Sequence, residues 1–141
     1  MLWVTRWKIR VNRAATSWLV RRFIDPTPTF RFVDPGDVAR IQREDGGLGF
    51  DAPGARYPHK DSAGRCSFEA LVQECRPLGT FDRISLADPN WDTGTAMVDA
   101  VGLRTISRGF PLVTADDFET LERSAFLYDA LYASLRERLG Q

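Results

Sequence analysis

Few side chains in this chain have both the chemistry and the setting for a functional site. His59 is the only histidine, so any imidazole acid–base or imidazole–metal chemistry has to use it. Asp129 is the only charge between Ala125 and Leu135, in a run that includes Phe126, Leu127, Tyr128, Leu131 and Tyr132. A helix apolar on every side is a buried helix, and a carboxylate buried there needs a cation, hydrogen bonds or a metal ion. The expectation is therefore a buried Asp129, neutralised either by Arg13, Arg21, Arg22 or Arg104 or by a metal.

Asp88 raises the same question. It continues a Phe81–Ile84 stripe to a helix C-terminus, where the macrodipole disfavours negative charge; an arginine, a metal or a simple turn-capping role around Pro89 would each answer it. Cys66 stands at an expected helix N-terminus beside Arg65 and near Lys60, a setting that favours the thiolate and a reactive thiol. Glu69 shares its face three residues on, either as a capping partner or as a second ligand. No phosphate loop, dinucleotide fingerprint, serine-hydrolase signature or His-Glu-x-x-His is present, which leaves metal or oxyanion chemistry.

The elements that must position these groups read as follows. Leu2–Ile9 alternates around Trp3, Val4, Trp7 and Ile9 and is expected to be extended. Asn12 is the expected N-cap of a helix carrying Ala15, Trp18, Leu19 and Phe23 up to Asp25-Pro26, with Arg22 on the side of Trp18. Pro28 and Pro35 bracket a strand at Thr29–Val33, and Asp37–Glu44 makes a short helix. Gly46, Gly47, Gly49 and Pro53-Gly54 then loosen the chain, so the stretch through Arg65 is expected to be the most mobile. Helices follow from Cys66, with Phe68, Leu71, Val72 and Cys75 on one core stripe, and from about Thr95 to Gly109, with a turn at Asn90–Gly94 between them. The last helix carries Phe118, Leu121, Ala125, Tyr128, Tyr132, Leu135 and Leu139 at alternating steps of three and four, capped by Thr114 with Asp117.

The sum is a mainly α (α+β) fold: one compact helical domain over residues 1–141 with a small sheet from short N-terminal strands. Nineteen basic residues cancel nineteen acidic ones, which gives no reason to expect nucleic acid as a partner. No run of about 18 apolar residues suits a membrane helix, and Arg6, Lys8 and Arg10 interrupt the only stretch resembling a leader, so a cytoplasmic setting is expected. Arg6, Lys8 and Arg10 read as a solvated face.

Trp3-Val4-Thr5-Arg6 with Lys8, the run Trp18-Leu19-Val20-Arg21-Arg22-Phe23-Ile24-Asp25-Pro26, His59, Cys66-Ser67-Phe68-Glu69, Gly102-Leu103 with Ile106-Ser107, and Tyr128-Asp129-Ala130-Leu131-Tyr132 together resemble the C-terminal domain of the chromate-resistance ChrB family. The resemblance covers nearly the whole chain and implies a stand-alone form of that domain, associated with chromate resistance. Where the family pattern has Ala-Cys-Pro-Trp this chain has Ala15-Thr16-Ser17-Trp18. With the resemblance, His59, Asp88, Asp129 and Glu69 become the expected ligands of a divalent iron, manganese or zinc ion, and Arg13, Arg21 and Arg22 the expected grip on an oxyanion or carboxylate small molecule. The alternative is an oxyanion sensor or accessory module that needs no metal.

Overall fold

The computed structural model describes residues 1–75, 98–138 and 140. Asp88, the Phe81–Ile84 stripe, the turn at 90–94 and Leu139 lie outside the described residues. A three-stranded parallel sheet, order β2-β1-β3, is built from β1 (Leu2–Arg6), β2 (Thr29–Val33) and β3 (Leu48–Gly49). Trp3 faces Phe30 across one edge of β1, and Val4 faces Gly49 across the other. Between the strands run α1 (Val11–Leu19), continued by a π-helical turn at Val20–Ile24, and α2 (Val38–Glu44); α3 (Ser67–Glu74), α4 (Val98–Val113) and α5 (Asp117–Arg138) follow.

Parallel strands need crossovers, and the crossovers cover both faces of the sheet. Trp3 joins the large core with Ile9, Trp18, Phe30, Leu71, Leu121 and Tyr128. Val4, pointing the opposite way, packs with Val38, Ile41 and Ala52 under α2. The central strand is thus buried on both sides, including Thr5. Burial of each large apolar side chain of this kind is worth about 1.5–3 kcal/mol.

Helix α1 is the hub and packs against α3, α4 and α5. Asn12 lies inside it rather than capping it: the helix opens after Arg10, and the Asn12 side chain reaches Ser67 Oγ at 3.1 Å. Thr16, fully buried, shares that polar knot with Asn12 and Ser67, so the position where the family pattern has cysteine is a packing position here. On α5, Trp18 stacks obliquely against Tyr128 and Tyr132, and Phe23 meets Tyr132 edge-on at 5.4 Å, arrangements that aromatic quadrupoles favour.

Three further expectations are corrected. The glycine-rich stretch carries β3 and is stitched down: Phe50 N–H donates to Val4 O, Asp51 N–H to Tyr57 O and Tyr57 N–H to Gly49 O. Gln42 Oε1 accepts from both Gly49 and Arg56. A Cβ at Gly49 would lie 2.7 Å from that same Oε1, so glycine serves close approach here rather than looseness. The α5 cap is also different, since Asp116 Oδ1 accepts from Glu119 N–H while Glu119 reaches back to Ala115 N–H. Asp117 is thereby released to accept from Lys8 N–H and Ile9 N–H, both at 2.8 Å, which ties the start of α5 to the β1–α1 junction. Finally, α4 runs past Gly109 to Val113 with Pro111 inside it, forgoing the single bond that a proline cannot donate. Among the described residues no helix is long and apolar enough to cross a membrane.

Candidate functional site

The most deeply buried charged residue among those described is Asp51, which the sequence did not single out. Its side chain is 1% exposed and accepts from Arg13 Nη1 at 2.7 Å and Arg6 Nη2 at 3.4 Å. On its other oxygen it meets His59 Nδ1 at 2.6 Å. An ionised carboxylate only accepts, so the proton of that bond sits on Nδ1. Asp51 adopts φ +50°, a left-handed conformation that aspartate tolerates better than most residues. Its backbone is held there by the Tyr57 carbonyl and by Arg6 Nε, which donates to Asp51 O at 2.8 Å.

Local sequence explains the placement. Arg6 ends β1, Arg13 is one turn into α1, and Asp51 follows β3 on the opposite edge of β1. The parallel order therefore brings one cation from the end of β1 and one from the first crossover onto an acid just after the third strand. Arg13 also donates Nη2 to Lys8 O at 2.8 Å, while its buried Nε has no hydrogen-bond partner. Burial would by itself raise the Asp51 carboxyl, but the His59 hydrogen bond and the charges of Arg13 and Arg6 outweigh it and hold the group below the ordinary carboxylate range. Burial likewise pulls the Arg13 guanidinium down, opposed by Asp51; arginine nonetheless remains charged in proteins. One carboxylate thus faces two guanidinium groups and an imidazole, an excess of positive charge. The outer members are within reach of solvent, Arg6 being 33% and His59 63% exposed.

A second site lies at the α1–α5 contact. A cavity of about 110 Å³ is lined by Ser17, Trp18, Arg21, Arg22, Leu121, Ala125 and Asp129. It adjoins the π-turn that carries Arg21 and Arg22, made by Asp25 N–H reaching back five residues to Val20 O. Such turns insert an extra residue into a helix and recur at functional sites.

These two sites divide the expected residues. Arg13 belongs to the first; Arg21, Arg22 and Asp129 belong to the second, and His59 sits with Asp51. Asp129 is not buried: its side chain is 52% exposed, accepting from Trp18 Nε1 at 2.9 Å and lying 3.7 Å from Arg22 Nε. The apolar letters around it misled because α5 is covered on one side only, leaving Phe126 80% exposed and Ala130 and Ala133 at the surface. Much of any folded surface is apolar, so an apolar run does not guarantee burial. Glu69 closes a capping box by accepting from Cys66 N–H at 2.9 Å, and Cys66 is buried in the main core, which shields its thiol from solvent. Among the described residues no three of His, Cys, Asp and Glu converge as a metal donor set. Of the expected donors, His59 lies with Asp51, Asp129 at the α1–α5 cavity and Glu69 in the α3 capping box, while Asp88 lies outside the described residues. Arg6, read as a solvated residue, is instead part of the Asp51 cluster.

A family model described as ChrB, C-terminal domain, matches residues 3–135. Protein ChrB of Cupriavidus metallidurans is 34% identical over 136 residues, a match that covers 92% of this chain and 39% of the relative. The chain therefore spans about two-fifths of the length of that relative. No solved structure matches it. With the family match extending from β1 almost to the end of α5, and both sites inside it, the chain belongs to the ChrB C-terminal domain family.

Proposed function

We propose that this domain serves chromate resistance by binding a tetrahedral oxyanion, of the chromate and sulfate class, at the Asp51 cluster. The observation that carries the reading is the convergence of Arg6, Arg13 and His59 on a single sealed carboxylate. Asp51 neutralises only part of that charge. With His59 doubly protonated, a dianion at the solvent side would complete the neutralisation through Arg6 and the imidazolium, with Arg13 acting from behind. Guanidinium groups suit such ligands because their donors lie in a planar fork. The reading needs no metal and no turnover, and it follows the sensor or accessory alternative rather than the metal-dependent one.

Calorimetric titration with chromate, and separately with sulfate, tests it. Saturable binding is expected, lost in Arg6→Gln and weakened by added salt, because Arg6 is exposed enough to be replaced without dismantling the core. Absence of binding, or binding unchanged in Arg6→Gln, would reduce the cluster to a structural ion-pair network.

A further inference from the structure

We infer that the cavity between α1 and α5 binds a small monocarboxylate with a flat apolar body, at a site separate from the Asp51 cluster. Charge separates the two sites. At the cavity, Arg21 Nη1 is already matched to Glu122 Oε1 at 2.7 Å and Arg22 faces Asp129, so the rim is near neutral and offers a dianion nothing to offset. Arg22 is nonetheless loosely engaged, because its Nε lies 3.7 Å from Asp129, beyond hydrogen-bond range. Its guanidinium edge can take one carboxylate while Asp129 stays held by the Trp18 indole.

The walls set the body of the ligand. Trp18, Leu121 and Ala125 present apolar surface, and the indole is anchored at Nε1 on Asp129 and packed against Phe23, Tyr128 and Tyr132, so the wall it supplies is fixed. A space of about 110 Å³ holds several water-sized positions, since one water needs roughly 10–15 Å³ on the same measure. That suits one small ring. Ser17, in the same lining, is buried and its Oγ has no hydrogen-bond partner. Buried hydroxyls are almost always satisfied, so the unmet group points to a polar atom on the inner end of the occupant. The π-turn supplies the geometry: the extra residue lets Arg21 and Arg22 both line the cavity, although neighbouring residues on a regular helix diverge by about 100°.

Benzoate is the probe, with 4-hydroxybenzoate adding the inner polar atom and benzamide removing the charge. Titrated into the intact chain and followed by amide and indole chemical shifts, benzoate is expected to move Ser17, Arg21, Leu121, Ala125 and the Trp18 indole in a saturable way. 4-Hydroxybenzoate should bind more tightly, and this preference should vanish in Ser17→Ala. Arg22→Gln, at an exposed position, should weaken benzoate by about tenfold, the scale of one charge-assisted hydrogen bond. Ala125→Leu should fill the space and abolish the response. No saturation up to about 10 mM, a Kd too weak for specific recognition, equal binding of benzamide, or binding intact in Arg22→Gln would overturn the assignment. Sulfate titration distinguishes this from the Asp51 reading, because sulfate should move residues around Arg6 and His59 and leave the Trp18 indole unchanged.

Discussion

Replacing Asp51 with asparagine isolates the charge at the heart of the first cluster. Asparagine tolerates the left-handed backbone about as well as aspartate, so the φ of +50° is kept and only the negative charge is lost. Arg13, whose side chain is 11% exposed, would then be a buried cation without its bonded counter-ion, offset only by the charge of Asp117. Breaking a buried pair in this way costs about 3–5 kcal/mol, a large part of the roughly 5–15 kcal/mol that holds a domain folded. Urea denaturation should show the midpoint falling with little change in slope. Adding Arg13→Met removes the orphaned cation and should recover part of the loss. The pH profile gives an independent reading. Because the folded Asp51 carboxyl is held below its ordinary value, its contribution is complete above the unfolded-state value of about 4 and disappears as pH falls through the lower folded-state value. Asp51→Asn should therefore flatten part of the acid limb, while Asp25 and Asp61, also held low, keep the remainder. A loss below about 1 kcal/mol, or a double variant no more stable than Asp51→Asn alone, would show that the cluster is solvated and its charges uncoupled.

Two further outcomes check the surrounding frame. Asp117→Ala should cost about 2–4 kcal/mol in urea titration, since it removes a part-buried charge-assisted bond to the Ile9 amide and an exposed, weaker one to the Lys8 amide, a bond to a charged group being worth about 1.5–3 kcal/mol net. Cys66 should react with an exposed-thiol reagent only when guanidinium unfolds the chain, because its side chain lies in the core; native-state labelling as fast as in the denatured protein would contradict that packing.

What the residue order revealed was periodic or punctuated. The prolines around Thr29–Val33 bounded β2, and the leucine–tyrosine spacing of α5 located its buried stripe at Leu121, Tyr128 and Leu135. The grouping of arginines as anion-binding candidates was also visible, but not their division between two sites, which depends on the crossover geometry of a parallel sheet. Asp51 carried a weak local signal: a lone acid between Phe50 and Ala52, eight residues before the only histidine. Its partners Arg6 and Arg13 are about 40 residues away in sequence, farther than any helical or strand period extends. Asp129 failed for the opposite reason, because its neighbours matched a buried helix and the missing layer over Phe126 could not be read from them.

The bonds that α5 makes to the first part of the chain have a kinetic consequence. Asp117 to Lys8 and Ile9, Tyr128 to Val11, Trp18 to Asp129 and Arg21 to Glu122 all join residues more than 100 positions apart. During synthesis the ribosome releases β1 and α1 long before their last supports exist, and contacts of such long span slow the search for the native state. Arg21 and Arg22 of the first crossover must therefore wait for the final helix to emerge before they are locked in place, whereas Arg13 needs only Asp51, so a stalled or truncated product would carry Arg21 and Arg22 on an unfinished frame.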